Sequence, residues 1–154
     1  MSFELNLRSE TVQYAHPAEA IVLAPQETVR AALQQMKQAK TGNVLICEAK
    51  RLVGIFTERD ALKLLASNAD LEQPIGQVMV RDPVTVSLTD SVGEAISKMS
   101  IGGYRRLPVV DDTGYAASVL KVSGIIRYLV EHVPDVVYTL PPEPHHRPKT
   151  REGA

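Results

Sequence analysis

Ala20-Ile21-Val22-Leu23, moved along the chain by 63 residues, falls on Pro83-Val84-Thr85-Val86. At the same offset Val29, Ala32 and Met36 fall on Val92, Ala95 and Met99, identical each time. One extra residue in a turn makes the offset 64, and Gly54-Ile55-Phe56 then falls on Ser118-Val119-Leu120. Upstream, Thr11-Val12 and Tyr14-Ala15 match Pro74-Ile75 and Gln77-Val78. A long internal period marks one supersecondary unit used twice. Two copies imply a pseudo-symmetric module with equivalent clefts, and the positions where the copies differ say which cleft holds a ligand.

Each copy reads strand, helix, strand, strand, helix. In the first, residues 20–23 are a short apolar run ended by Pro25, and Thr28 stands at a helix start. Val29, Ala32, Leu33 and Met36 recur at helical spacing as one buried stripe, and Gly42 is the expected stop. Residues 43–47 and 52–56 are β-rich runs joined by the polar turn 48–51. A second helix is predicted over about 58–66, with Ala61, Leu62 and Leu65 inward. In the second copy, residues 84–87 form a strand and Asp90 or Ser91 caps a helix carrying Val92, Ala95, Ile96 and Met99. Gly102-Gly103 ends that helix, strands follow at 107–110 and 116–120, and a last helix covers about 122–132. The expected fold is α/β (α+β), with two β-α-β-β-α units, at 7–70 and 71–133, packed sheet to sheet because neither buries both faces of its own sheet. The stretch 134–154 holds five prolines and reads as an extended tail.

A chain of 154 residues with 44% hydrophobic and 23% charged residues can form one domain with a substantial core. A net charge of -1 argues against nucleic-acid binding by bulk charge, so any anion site is local. The single Cys47 excludes an intrachain disulfide and supports no zinc cluster. The start of the chain lacks a signal-peptide pattern, and no apolar stretch is long enough to span a bilayer, so a cytoplasmic location is the expectation.

Gly54-Ile55-Phe56-Thr57-Glu58-Arg59-Asp60 is the chemical centre. A strand ends at Phe56 and a helix begins at Thr57 or Glu58. A helix start presents unpaired N–H groups and partial positive charge, which suits phosphate. Asp60 lies three residues on, and an ionised carboxylate can accept two hydrogen bonds from a ribose diol. The same residues also fit a capping box, in which Asp60 reaches back to the helix start. Both readings stand on spacing alone.

The Gly-apolar-apolar-Thr-x-x-Asp pattern after two short strands, its duplicated setting, and Arg105-Arg106-Leu107-Pro108-Val109-Val110-Asp111 in the second copy together resemble the CBS domain, the module named after cystathionine β-synthase. The resemblance covers about 7–133. It implies a pair of CBS units, a Bateman module, whose clefts bind adenosine derivatives such as AMP, ADP, ATP or S-adenosylmethionine and which regulates other proteins. Thr57 and Asp60 would then contact ribose and phosphate. Ile21, Val22, Leu23, Val44 and Leu45 would cradle the base. In the second copy Lys121 stands where Thr57 stands and Gly124 where Asp60 stands, so the ribose carboxylate is missing. Three readings follow: an inactive second cleft filled by Lys121, Lys121 reaching the phosphates of a ligand in the first cleft, or a second cleft for something other than a ribonucleotide. The second is preferred. One of Arg105 and Arg106 would touch phosphate, preferentially Arg106; the alternative is an exposed charge paired with Asp111 or Asp112.

The remaining polar signals read as structural. His145-His146 lack companion ligands for a metal, Met36 and Met99 belong to the core stripes, and Cys47 reads as a small buried hydrophobe. Arg59 reads as a solvated or interface residue. No nucleophile and base can be paired. The expectation is a non-catalytic regulatory module with an adenine nucleotide or S-adenosylmethionine as ligand, no catalytic cofactor and no metal. It would be a homodimer through the face bearing Ile125, Ile126, Leu129 and Val130, acting on an unknown effector protein. The alternatives are a ligand-independent dimerisation module, and nucleic-acid binding through Arg105, Arg106 and Lys121.

Overall fold

The structure, a computed structural model, describes residues 9–132; the predicted tail at 134–154 lies outside them. The first copy supplies β1 (Ala18–Glu19), β2 (Ile21–Leu23), α1 (Val29–Ala39), β3 (Asn43–Glu48), β4 (Arg51–Thr57) and α2 (Glu58–Ala66). The second supplies β5 (Val80–Arg81), β6 (Val86–Ser87), α3 (Val92–Gly102), β7 (Arg106–Val110), β8 (Ala116–Lys121) and α4 (Val122–His132). They build two four-stranded sheets, ordered β2-β3-β4-β5 and β1-β8-β7-β6.

Local chemistry sets the helix limits. Thr28 Oγ1 accepts from Ala31 N at 3.0 Å and starts α1. The helix ends at Ala39 because Lys40 takes a left-handed conformation, φ 53°, two residues before the expected stop at Gly42. Ser91, not Asp90, caps α3: its Oγ accepts from Glu94 N at 3.0 Å while Glu94 Oε1 accepts from Ser91 N at 3.2 Å. Gly103, at φ 71°, ends α3 as expected.

Alternation along the strands sorts their side chains into three layers. Leu23, Val44, Ile46 and Phe56 face α1 and α2. Val86, Leu107, Val109 and Leu120 face α3 and α4 with Ile125 and Tyr128. Leu45, Ile55, Ala116 and Val119 lie between the sheets, with Val22 and Val110 packed against them. Burying a Leu or Ile stabilises by about 1.5–3 kcal/mol, so this middle layer joins the copies firmly.

The copies also exchange their leading segments. Val12 and Ala15 are buried in the core of the second copy, and Ile75 and Met79 in that of the first. The anchoring hydrogen bonds are symmetric: Val12 N donates to Asp90 O at 2.8 Å, and Ile75 N to Glu27 O at 2.7 Å. In the same way β1 pairs with β8 (Ala18↔Val119) and β5 with β4 (Ile55↔Val80). Each sheet is therefore completed by a strand of the other copy.

Candidate functional site

Thr57 closes β4 and precedes α2. Asp60 Oδ2 accepts from both Thr57 N, at 2.9 Å, and Thr57 Oγ1, at 3.0 Å. Asp60 thus supplies its half of the capping box that the spacing allowed. Both bonds fall on one carboxylate oxygen, and neither residue is fully buried.

Thr57 and Asp60 open onto a cavity of about 720 Å³. Its far wall belongs to the exchanged segment, Val80, Arg81, Asp82, Pro83 and Val84, and a third side comes from Tyr104, Arg105, Arg106 and Pro108. Ile55 contributes apolar surface beside Thr57. Arg59, Arg81, Arg105 and Arg106 oppose Glu58, Asp60 and Asp82, so the lining is rich in charge with cations in slight excess. Arg59, read as solvated, is exposed and stands at this rim.

Arg106 and Lys121 are register partners on β7 and β8. Both line a neighbouring cavity of about 520 Å³ together with Lys37 and Lys40. Arg106 and Glu58 line both cavities, and Arg106 Nη2 lies 3.8 Å from Glu58 Oε1. Alternation puts Arg106 on the face of Pro108 and Val110, toward the other sheet, and Arg106 Nε is buried without a hydrogen-bond partner. The alternative pairing of an arginine with Asp111 or Asp112 is not formed among the described residues. The Asp111 carboxylate accepts from Thr113 Oγ1, Thr113 N and Tyr115 N within its own turn, and the Thr113 hydroxyl foremost holds it below the usual carboxylate range.

Five expected base-binding residues lie elsewhere. Val44 and Leu45 are fully buried, Leu23 is buried, Ile21 packs on the first core, and Val22 packs between the sheets. The reason is that β2 pairs with β3 at the edge of a sheet covered on both faces. The residues across from Thr57 and Asp60 are instead 80–84, which the 63-residue offset maps from 17–21. The repeat held that signal, but the exchange that brings the second copy's segment to the first copy's helix was not visible in it. Lys37 and Lys40 were missed because they read as solvated helix-end charges.

The second cleft differs in backbone as well as in sequence. Gly124 packs so closely on the 15–16 segment that a Cβ there would lie 2.7 Å from Ala15 O. His16 Nε2 bonds Glu131 Oε1 at 2.7 Å, which ties the segment to α4 and holds Glu131 below the usual carboxylate range.

Cys47 is half-buried with Sγ 3.7 Å from Ala116 O, and burial pushes its thiol up, away from the reactive thiolate. No three His, Cys, Asp or Glu side chains converge as metal ligands among the described residues, and His145-His146 lie outside them. No helix among the described residues is long and apolar enough to cross a membrane. Of the expected dimer face, Ile125 is buried in the chain's own core and Leu129 packs against it, whereas Ile126 and Val130 are exposed.

Comparison with known proteins agrees with this architecture. An uncharacterised 17.7 kDa protein of Acidianus ambivalens is 31% identical over 71% of this chain and 67% of its own length. An uncharacterised protein of Methanopyrus kandleri is 32% identical over 80% of this chain and 66% of its own. The chain thus spans about two thirds of the length of these relatives. A solved CBS domain protein of Pyrobaculum aerophilum, complexed with AMP, superposes with a TM-score of 0.69 and 25% identity, covering 79% of this chain and 98% of that one. The profile of the CBS domain matches residues 16–67 and 75–131. With two such units joined through a common middle layer, this chain belongs to the CBS domain family.

Proposed function

We propose that the chain is a non-catalytic regulatory module that binds an adenosine-containing ligand in the cavity at Thr57 and Asp60. The observation that carries this reading is the position of Asp60: a carboxylate with one oxygen still open to a ribose diol, at a helix start, on a cavity walled by both copies. Asp60 holds the ribose. Thr57, the first N–H groups of α2 and Arg106 receive phosphate. Ile55, Val80, Val84 and Pro108 offer the apolar surface on which an adenine packs. The AMP complex of the Pyrobaculum aerophilum relative supports this class of ligand. AMP, ADP, ATP and S-adenosylmethionine all carry the adenosine group that such a site grips.

A ligand in that cavity touches the first copy at α2 and the second at 80–84 and 104–106. It therefore favours one packing of the copies over another, and that shift is the signal passed to an effector protein. Ile126 and Val130 on α4 are exposed apolar side chains, as are Leu62 and Leu65 on α2, which were expected to face inward with Ala61; together they form the proposed homodimer face. The second reading, a ligand-independent module, is favoured by the hydrogen bonds that Asp60 already makes to Thr57.

Thermal unfolding with each adenosine ligand separates the two, using Asp60→Asn beside the natural chain. Asparagine keeps an acceptor for Thr57 N but removes the charge. Binding at 100 times Kd adds about 2.7 kcal/mol, a rise of roughly 5–10 °C in Tm for a chain of this size. A rise that Asp60→Asn abolishes supports the ligand site. No rise with any of the four ligands leaves Thr57 and Asp60 as a helix cap.

A further inference from the structure

The two helices of the second copy leave an apolar groove between them. Ile96, Met99 and Tyr104 line one side, on α3 and just past its end, and Val122, Ile126 and Leu129 line the other, on α4, around about 300 Å³. Ser100 is the one polar residue besides Tyr104 in the lining. Tyr104 is 41% exposed, Val122 38% and Ile126 53%, so the groove carries apolar surface that no described residue covers. A contiguous apolar patch of this kind marks a contact site.

The chain supplies a segment of matching length and chemistry. α4 is described to His132, and Pro134 follows closely. Proline removes a helix hydrogen bond and disfavours helical backbone at the residue before it, so the sequence predicts no helix beyond Val133. The apolar run Val136-Val137-Tyr138-Thr139-Leu140 comes next, closed by Pro141-Pro142. In an extended chain Val136, Tyr138 and Leu140 share one face, spread over about 13 Å at about 3.3 Å per residue. The α4 wall from Val122 to Leu129 runs for about 10 Å at about 1.5 Å per residue. Leu129 lies about 5 Å back along the axis from His132, and residues 133–136 reach about 13 Å when extended, enough to turn back and enter the groove at Leu129. A segment tethered this closely has an effective concentration on the order of millimolar, an advantage that no separate peptide shares.

Tyr104 stands between this groove and the adenosine cavity, and lines both. Its N–H donates to Met99 O at 3.0 Å, which fixes its backbone to the end of α3. A Cβ on Gly102 would collide with its ring, so the ring rests directly on the helix end. A group packed on the cavity side of that ring changes what the groove side offers.

We propose that the groove between α3 and α4 is the seat of the chain's own residues 136–140, with Val136, Tyr138 and Leu140 inward, and that Tyr104 couples its occupancy to the adenosine cavity. The coupling rests on the adenosine reading of that cavity; the docking does not. Val122 lines the groove and is not part of the proposed dimer face, so Val122→Glu addresses docking alone.

The chain contains no tryptophan, so Tyr138→Trp and, separately, Leu140→Trp each place a single fluorescent reporter in the full-length protein. The expected emission is blue-shifted from that of the same chain in urea and unchanged on dilution. Adding Val122→Glu should return it to the urea value while circular dichroism shows the fold intact. Emission at the urea value from both reporters overturns the docking, as does a blue shift that Val122→Glu leaves in place. A blue shift that fades on dilution gives the groove to a second copy and overturns docking within one chain. AMP is then added, with Tm followed in parallel. The expected result is a change in emission that Asp60→Asn and Tyr104→Ala both abolish. AMP that raises Tm without altering emission overturns the coupling, and a response that persists in Tyr104→Ala removes Tyr104 as its carrier. No rise in Tm with AMP, ADP, ATP or S-adenosylmethionine sinks the adenosine reading and the coupling with it, while a blue shift reversed by Val122→Glu still upholds the docking.

Discussion

Gly124 sits in the first turn of α4, where alanine is intrinsically favoured over glycine by about 1 kcal/mol. An unobstructed Gly124→Ala would therefore raise Tm by roughly 2–4 °C in a chain of this size. The structure reverses that sign. The new Cβ would lie 2.7 Å from Ala15 O and 3.2 Å from His16 O, both backbone atoms. These cannot swing aside as a side-chain tip would. Ala15 N donates to Val12 O at 2.9 Å, Val12 is buried in the second core, and His16 is bonded to Glu131. Overpacking of this kind costs about 1–3 kcal/mol. Set against the helix gain, the expected net destabilisation reaches about 2 kcal/mol, and Tm falls by several degrees. Gly124→Asp restores the family's carboxylate but begins with the same Cβ. The double variant Lys121→Thr, Gly124→Asp is therefore expected to bind no second adenosine ligand. Circular dichroism gives Tm, and titration with AMP gives the stoichiometry. A Gly124→Ala chain that melts higher than the natural one, together with a second equivalent of ligand in the double variant, would refute the closed second cleft.

The exchange of leading segments predicts that Ile75→Ala destabilises the first copy's core by about 2–5 kcal/mol, since Ile75 is fully buried there. A fragment ending at residue 70 lacks Ile75, Met79 and β5, so its circular dichroism should show no cooperative melt; a folded fragment would contradict the exchange. Ile126→Glu places a charge on an exposed apolar position and should leave stability within about 0.5 kcal/mol of that of the natural chain, while shifting sedimentation from the proposed dimer to monomer. An unchanged mass would remove that face as the interface. Burial foremost, with Glu10 nearby, pushes the Tyr128 hydroxyl up from 10.0 to about 12. With the folded pKa above the unfolded one, this stabilisation is complete below pH 10 and is lost as pH rises through about 12. Tyr128→Phe should flatten that alkaline decline in a series of urea titrations; an unaltered decline would assign it to other groups.

Much of the architecture was legible because it depends on periodicities that sequence displays directly. Val29, Ala32 and Met36 with their counterparts at 92, 95 and 99 mark a helix face, and all six are buried. The near-continuous apolar runs at 43–47 and 107–110 mark strands covered on both sides. Thr57 and Asp60 were readable because a helix start is a local event, with a fixed spacing of three residues. The helix stop at Lys40 was less so, because a left-handed lysine carries no mark that Gly42 does not carry better.

By itself the sequence determined the duplication, the strand and helix pattern of each copy, the family, and which copy retains Thr57 and Asp60. These follow from short-range spacing and from comparing one copy with the other. Only the tertiary structure decided that leading segments trade places, so that 80–84 rather than 20–23 faces Asp60. Only it set Val44 and Leu45 in the core, gathered Lys37 and Lys40 with Lys121 around Arg106, and pressed Ala15 against Gly124. Each of these joins residues far apart along the chain. Such meetings depend on which sheet edge a strand completes and how two copies stack, a choice made by burial of the whole core rather than by any local run of residues.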